Sequence, residues 1–170
     1  MVYILLGVKQ KVTHGITADK EFRWNDYKLC NGSETTLTKY NNNSSYGTVD
    51  NLTTLEQVDD AAYQSDNTCR MPTSGECQEL IDNTTSTWET LNGVKGRRFT
   101  STNGNSIFVP AAGFYSGGSV NNVGYSGNLW SSSLNESNPR SGRYLDFRSS
   151  GVYVFNVSRY HGFTVRAVKE

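Results

Sequence analysis

The stretch of residues 70–113 constrains the fold more than any other part of the chain, because successive local signals in it agree. Thr73 and Glu76 have the spacing of a capping box, in which each side chain bonds the backbone of the other residue. The box predicts a helix that begins after Thr73 and ends at Asn83, where a polar Thr/Ser run follows. The apolar residues that would form the inner face of this helix are Cys77, Leu80 and Ile81.

Two Asn-Gly dipeptides predict tight turns after this helix. Asn92-Gly93 separates two short segments, and Asn103-Gly104 precedes residues 107–109, an apolar run short enough for a buried strand. Pro110 ends the hydrogen bonding of that strand, because proline has no N–H to donate. The stretch therefore predicts a helix followed by antiparallel strands.

The rest of the chain adds one helix and several strands. Residues 54–64 form a predicted helix, with Thr54 as its cap and Gln57 completing the box. The predicted strands outside residues 70–113 lie at 2–8, 129–134, 144–147, 152–157 and 163–168, the last two being joined around His161-Gly162. Two helices, short and mostly antiparallel strands, and a last strand free to pair near the first predict a single-domain α+β fold with close termini.

Charge and composition argue against several classes of protein. Lys plus Arg and Asp plus Glu both number 16, so the formal net charge is zero, which argues against a nucleic-acid partner. The abundance of uncharged polar residues favours an extracellular location. The apolar run 2–8 is too short to span a bilayer and lacks the flanks of a signal peptide, so neither membrane insertion nor a signal is predicted within this chain. The three cysteines lack zinc spacing and are predicted to be buried free thiols.

Three short segments beside the helix motif carry a resemblance to a known family. Residues 70–81 read RMPTSGECQELI, residues 88–96 read WETLNGVKG, residues 105–113 read NSIFVPAAG and residues 129–134 read LWSSSL. With these segments the chain, from about residue 20 onward, resembles the C-type-lectin-fold domains of gut Bacteroidales and their phages that are grouped as the Fibrobacter succinogenes major paralogous domain. The resemblance implies a C-type-lectin-like fold.

Many domains of this family are the variable proteins of diversity-generating retroelements, in which an error-prone reverse transcriptase rewrites adenines in the C-terminal coding region. Asn codons are the chief targets, and the fold displays the rewritten side chains to ligands. The resemblance therefore implies a scaffold at residues 1–113 and a variable region at residues 114–170. It also implies a larger carrier protein on a bacterial cell surface or a phage virion.

One consequence of such rewriting can be checked in the sequence. Randomising the two adenines of an AAC or AAT codon cannot produce Lys, Glu, Gln, Met or Trp, and residues 140–163 contain none of these five. A segment rich in strands would also favour Val, Tyr and Phe without any rewriting. The absence agrees with diversification of this segment and does not require it.

The C-terminal segment has the composition of evolved binding surfaces, which combine Tyr, Ser, Gly and Asn with Arg. The candidate ligand-binding residues are Tyr115, Asn121, Tyr125, Asn128, Arg140, Arg143, Tyr144, Asp146, Arg148, Tyr153, Phe155, Asn156, Arg159, Tyr160 and His161. Alternate residues of a strand point inward. The residues expected to face the core are Leu145 with Phe147, or Val152, Val154 and Val157.

No catalytic or metal-binding constellation is recognisable. His14 and His161 are the only histidines, and neither has a Ser or Cys beside it in a recognisable nucleophile motif. Trp24-Asn25-Asp26 is similar to a tripeptide at the calcium site of C-type lectins, but the companion loop is missing. The prediction is therefore a non-enzymatic display domain, without metal or cofactor, that binds varied protein or glycan partners. The alternatives are a carbohydrate-binding or adhesin domain of fixed specificity and a purely structural module.

Overall fold

The computed structural model of this chain describes residues 3–4 and 21–169, and this part of the chain is mostly β-structure. Its strands form four small antiparallel sheets, ordered β1-β11-β2, β3-β4-β5, β6-β7 and β8-β9-β10. The strands are β1 (Tyr3–Ile4), β2 (Cys69–Arg70), β3 (Thr84–Leu91), β4 (Val94–Ser101), β5 (Ser106–Pro110), β6 (Phe114–Ser116), β7 (Ser119–Asn121), β8 (Ser126–Leu134), β9 (Ser141–Arg148), β10 (Gly151–Ser158) and β11 (Val168–Lys169). The α-helices are α1 (Ala61–Ser65) and α2 (Ser74–Asp82).

The predicted α+β, C-type-lectin-like fold with two helices is wrong. Strands account for 44% of the structure and helices for 13%, and the strands form several small sheets. One part of the difference lies at residues 54–64, where a helix is predicted. Thr54 forms a bridge with Ser133 and the Leu55 N–H donates to the Ser132 carbonyl, at 2.9 Å. Pairing with β8 therefore holds residues 54–55 extended, and α1 begins only at Ala61.

The start of α1 is set by a buried carboxylate. Asp60 is the N-cap, and its Oδ1 accepts the N–H groups of Ala62 and Tyr63 at 2.8 and 3.1 Å. Its Oδ2 accepts the N–H of Met71 at 2.8 Å, which ties the helix to the segment that follows β2. A carboxylate satisfies the free N–H groups of a helix end better than the Thr54 hydroxyl can satisfy them from six residues upstream.

The predicted helix with a capping box is confirmed as α2. The Glu76 N–H donates to Thr73 Oγ1 at 3.2 Å, the Thr73 N–H donates to Glu76 Oε2 at 2.8 Å, and the helix is capped at Asn83. Arg70 adds two bonds to the Glu76 carboxylate, at 2.6 and 2.7 Å. Cys77 on the inner face is buried, and its burial raises the pKa of the thiol to about 12.

We expect ionised Glu76 to stabilise the fold, so that the free energy of unfolding falls as the pH is lowered. The hydrogen bonds from Arg70 lower the pKa of Glu76 from its ordinary 4.5 to about 2. Since the folded pKa is the lower one, the stabilisation is complete above pH 4.5 and is lost as the pH falls toward 2. Wild type should exceed Glu76→Gln by about 2 kcal/mol in the free energy of unfolding at neutral pH, and this excess should vanish in strong acid.

Urea denaturation of both proteins at a series of pH values measures this difference. Glu79→Gln, which alters an exposed carboxylate on the same helix, is the control and should match wild type throughout. An excess that stays constant down to the lowest pH would contradict the prediction.

Residues 84–110 fold as the two Asn-Gly turns predict. Asn92 and Gly93 join β3 to β4 with φ angles of 50° and 80°, and Gly104 follows β4 with a φ of 86°. The predicted strand at 107–109 is confirmed within β5, which ends at Pro110. Phe99 and Val109 of this sheet pack with α2 and the sheet β8-β9-β10 in one buried cluster.

The sheet β8-β9-β10 occupies the centre of the described structure, and the predicted strands 129–134, 144–147 and 152–157 lie in it. One face contributes Leu145 and Phe147, with Val152 and Val154 beside them, to the cluster around α2. The opposite face contributes Trp130 and Tyr144 to a second cluster. Leu145, Phe147, Val152 and Val154 thus face the core as predicted, while Val157 packs against the cluster on the opposite face.

The predicted final pair of strands, 152–157 with 163–168, is wrong. β10 pairs with β9 along its whole length, and only Val168 of the last segment lies in a strand. Residues 162–164 instead lie beside the edge of β8, where the Trp130 N–H donates to the Thr164 carbonyl at 3.0 Å. The Phe163 ring stacks on the Trp130 ring there, with centroids 4.5 Å apart. A hairpin with a two-residue turn brings β9 and β10 together locally, so β10 has no need of a distant partner.

The chain ends come together in the sheet β1-β11-β2, in which Tyr3 pairs with Lys169. The last strand therefore lies beside the first, as predicted. The remainder of the predicted strand 2–8, and His14, lie outside the described residues. Cys30, Cys69 and Cys77 are buried free thiols, as predicted. Across residues 21–169, no helix has the length and apolar character needed to cross a membrane.

Candidate functional site

The candidate binding residues divide into buried and accessible groups. The side chains of four lie in the interior, with 1–9% of their surface exposed. The four buried residues are Asn128, Tyr144, Asp146 and Arg159. Their burial removes them from direct contact with any ligand and gives them a role in holding the C-terminal segment together.

Asn128 and Asp146 form a polar network between β8 and β9. The Asn128 amide donates to Asp146 Oδ1 at 2.9 Å, and Ser126 Oγ lies 3.1 Å from Asn128 Oδ1. Arg148, which is exposed, pairs with the other Asp146 oxygen at 3.1 Å. The network satisfies each buried polar group that it contains. It therefore fixes the register of the two strands.

Arg159 joins the C-terminal segment to the N-terminal loops. Its guanidinium donates to Tyr27 Oη and to the carbonyl oxygens of Lys39, Tyr40 and Pro139, at 2.9–3.0 Å. The same group lies over the Tyr27 ring, 5.2 Å from its centroid. Burial raises the pKa of Tyr27, and Arg159 opposes that shift. Arg159 is therefore a structural clamp of the interior.

The accessible residues of β10 form an aromatic pair. Tyr153 and Phe155 stack with their ring centroids 5.4 Å apart, and they are 48% and 47% exposed. They project from the same face of the sheet, whereas Asn156 projects from the opposite face, across from the half-buried Arg143. The two rings present apolar surface that nothing in the described part of the chain covers.

An open groove of about 510 Å³ lies between the N-terminal loops and the C-terminal segment. One wall comes from residues 22–24 and Glu34, and the other comes from residues 116–117, Ser158 and Tyr160. A bridge between Phe22 and Gly117, with both backbone bonds at 3.1 Å, holds the two walls together.

Aromatic rings line or border much of this groove. Tyr160 meets Trp24 edge to face at 5.4 Å and stacks on His161 at 4.4 Å. Phe22 stacks on Tyr115 at 5.1 Å. Stacked neighbours restrict the motion of each ring, so the rings that line the groove present pre-organised faces to a ligand.

Charged and polar groups complete the groove. Arg23 pairs with Glu21 at 2.6 Å, and Glu34 pairs with Arg140 at 2.9 Å. Arg140 in turn lies over the Tyr46 ring, 4.7 Å from its centroid. These side chains place hydrogen-bond donors and acceptors next to the aromatic rings, and they are accessible enough to exchange their present partners for those of a ligand.

His161 supports the groove from behind. Its Nδ1 lies 3.0 Å from the Ser158 carbonyl, and its own carbonyl accepts the Trp130 indole N–H at 3.2 Å. Burial lowers the pKa of the imidazole, and the bond to Ser158 opposes that shift. The described residues contain no group of three or more His, Cys, Asp or Glu that could hold a metal ion.

The structure places Asn121 and Tyr125 away from the groove lining. Tyr125 is 73% exposed, and its ring lies 5.6 Å from Lys95 Nζ. The Asn121 amide donates to the Ser119 carbonyl at 3.0 Å. Of the fifteen candidates, Tyr160 lines the groove, and Tyr115, Arg140 and His161 contact residues that line it.

The N-terminal wall of the groove is the part of the site that the sequence did not indicate. Phe22, Trp24 and Glu34 lie in a turn-rich segment with no periodicity, and nothing in that segment predicts contact with residues far along the chain. The one sequence signal for a binding surface in this segment was the presence of the aromatic residues Phe22 and Trp24 next to charged residues. Their role depends on the bridge to Gly117 and on the bonds of Arg159.

No protein-family model, no curated protein and no solved structure matches this chain.

Proposed function

We propose that this protein is a non-catalytic ligand-binding domain that holds its ligand in the groove between the N-terminal loops and the C-terminal segment. The observation that carries the proposal is the set of groove residues itself. Three aromatic residues, Phe22, Trp24 and Tyr160, share one concave surface with Arg23 and Glu34. A concave site with apolar faces and a few convergent polar groups is the usual form of a ligand site.

The groove suits a ligand that offers both a flat apolar face and hydrogen-bonding edges. The rings can stack against the apolar face, while the Arg23 guanidinium and the Glu34 carboxylate can bond hydroxyl or amide groups. Both a sugar ring and the side chains of a protein loop have this character. The proposed ligand is therefore a glycan or a protein surface, and the proposed location is a bacterial cell surface or a phage virion.

The proposal includes diversification of residues 114–170 by a retroelement, which the family resemblance implies. Ser116, Ser158 and Tyr160 bring this segment into the groove, and Tyr153 and Phe155 expose more of it. Rewriting at such positions would change the ligand without disturbing the core. The buried residues of the same segment should be constant, because their replacement would unfold the protein.

Sequencing this gene from many cells of one population tests diversification. We expect variation confined to adenine-bearing codons of accessible positions in residues 114–170, with residues 70–113 unchanged. Variation at buried positions as frequent as at accessible ones would contradict the proposal. A uniform segment beside an intact gene for a reverse transcriptase would point to an idle element, and a uniform segment without one would point to the second candidate function.

The second candidate is a carbohydrate-binding or adhesin domain of fixed specificity. One observation favours it, since half of the groove wall lies outside the segment that would vary. Phe22, Trp24 and Glu34 belong to the N-terminal loops and would be identical in every copy. Screening the purified protein on immobilised glycans, and on a panel of surface proteins, identifies a ligand for either candidate.

We expect Tyr160→Ala to weaken binding of a ligand found in that screen by about 30-fold, because truncation of a central aromatic anchor costs about 2 kcal/mol. Titration calorimetry with wild type and variant measures the change. Tyr125→Ala removes an exposed tyrosine that does not line the groove and should bind as wild type does. Equal affinities of Tyr160→Ala and wild type would place the ligand elsewhere. Thermal melting checks that both variants are folded.

A further inference from the structure

The central sheet has one sealed edge and one open edge. Along β8, six backbone hydrogen bonds to other segments cover the edge, and their donors are the N–H groups of Leu55, Gly113, Trp130, Ser132, Leu134 and Thr164. At the other edge, within residues 21–169, the backbone of residues 151–157 bonds only to β9. Among the described residues, the outer edge of β10 therefore presents N–H and C=O groups without a partner.

The hairpin geometry shows which of these groups face outward. The turn between β9 and β10 holds two residues, so Arg148 and Gly151 form the first hydrogen-bonded pair, and bonded pairs then alternate with non-bonded ones. The Arg143 carbonyl agrees with this alternation, since it accepts Ser131 Oγ from the β8 side, 2.8 Å away. The residues whose N–H and C=O groups point away from β9 are Val152, Val154 and Asn156.

β10 lacks the devices that keep edge strands apart. Charges, prolines and bulges discourage an edge from pairing with another chain. Residues 151–158 contain no charged residue and no proline, and their register with β9 is unbroken over eight pairs. By contrast, the edge strand β3 carries Glu89, and the edge strand β5 ends in Pro110.

We propose that β10 is a dimerisation strand, which pairs in antiparallel fashion with β10 of a second copy about a twofold axis at Val154. In this register the outward backbone of Val152 meets that of Asn156 in the second copy, and Val154 meets its own counterpart. About six main-chain hydrogen bonds can form. Each sheet β8-β9-β10 would then continue into the other.

The same register joins the exposed aromatic residues. Tyr153 falls opposite Phe155 of the second copy, in a non-bonded pair where side chains approach most closely. The stacked pair on each copy would thereby extend into a row of four rings across the dimer axis. Pairing β10 with its own copy brings no like charges together, because residues 151–158 carry no charge. The zero net charge of the chain adds no overall repulsion between copies. A second copy therefore fits this edge in both backbone and side chains.

Sedimentation equilibrium of the full chain, from low micromolar to several hundred micromolar, tests the proposal with Asn156→Pro and Asn156→Ala. Proline at this position removes an outward N–H without touching the bonds to β9, whereas alanine removes only the side chain. We expect wild type and Asn156→Ala to form dimers with similar dissociation constants. Asn156→Pro should have a dissociation constant about tenfold or more higher. Thermal melting confirms that both variants are folded.

Disulfide crosslinking checks the register. A mixture of Tyr153→Cys and Phe155→Cys proteins should form a crosslinked dimer under mild oxidation, while neither protein alone should do so. A wild-type protein that stays monomeric over the whole concentration range would overturn the proposal. Dimers that form equally in Asn156→Pro would place the interface elsewhere and would overturn it as well.

Discussion

Arg159→Ala is expected to lower the free energy of unfolding by about 4 kcal/mol, because it leaves a set of buried acceptors without a donor. The guanidinium serves Tyr27 Oη and the carbonyls of Lys39, Tyr40 and Pro139. Only 6% of the Arg159 surface is exposed, so water cannot easily take over these bonds. The loss should exceed that of an ordinary surface residue severalfold.

Urea denaturation followed by intrinsic fluorescence measures this effect. Arg159→Lys separates the effect of the charge from that of the hydrogen bonds. Lysine keeps the positive charge, but it lacks the planar guanidinium that reaches several acceptors at once. We expect its stability to lie between those of wild type and Arg159→Ala. Arg23→Ala, at an exposed arginine paired with the exposed Glu21, is the control and should cost less than about 1 kcal/mol. A loss at Arg159 no greater than this control would show that the clamp does not hold the N-terminal loops.

Gly127→Ala is expected to lower the free energy of unfolding by about 3 kcal/mol, because a methyl group there would overlap the Phe147 ring. Phe147 is fully buried and meets Phe99 edge to face at 6.3 Å, so the ring cannot move without disturbing the cluster beside α2. Here glycine is required by close packing between adjacent strands, since Gly127 lies directly opposite Phe147 in the pairing of β8 with β9.

Thermal denaturation with wild type as reference measures this cost. Gly75→Ala, on an exposed turn of α2 where the added methyl would make only an ordinary contact with Thr73 Oγ1 at 3.8 Å, should instead be neutral or stabilising by up to about 1 kcal/mol. The double variant Gly127→Ala with Phe147→Leu should be more stable than the sum of its single effects predicts, because the smaller side chain makes room. Strict additivity would indicate that the two positions do not contact each other.

Both predictions bear on the proposed function. A segment that changes its sequence to change its ligand must also keep the protein folded, and the buried positions set that limit. Asn128, Asp146 and Arg159 are polar and lie in the variable region implied by the resemblance, yet each bonds inside the protein. Diversification is therefore expected to avoid their codons, which makes the sequencing experiment a test of this structure as well.

Local structure was predictable wherever a few adjacent residues determine it. The capping box of Thr73 and Glu76, the Asn92-Gly93 turn and the strand of residues 107–109 all have the predicted places. Each depends on a bond or a backbone angle within a few residues, so distant parts of the chain do not alter it. The helix predicted at residues 54–64 failed because β8 offers those residues a partner that the local pattern could not show.

The candidate site was predictable in composition but not in position. The segment contains accessible Tyr, Phe and Asn side chains, among them Tyr153 and Phe155, beside buried candidates such as Tyr144. The alternation of β10 side chains between the two faces of the sheet could be predicted, because it follows from strand geometry. The interior position of Asp146 could not be predicted from the sequence. A single carboxylate in a polar segment gives the same sequence pattern whether it is hydrated at the surface or bonded to an asparagine amide inside.

The elements that local sequence predicts correctly are a capped helix, two tight turns and the short strand of residues 107–109. Contacts between distant parts of the chain were needed to establish that these elements form a mostly β-fold of several small sheets, that Arg159 lies inside, and that residues 22–34 supply half of the groove. The difference lies in the range of the interactions. Caps and turns form between neighbours in the chain, whereas the groove and the clamp join residues more than a hundred positions apart, as the bond from Arg159 to Tyr40 shows.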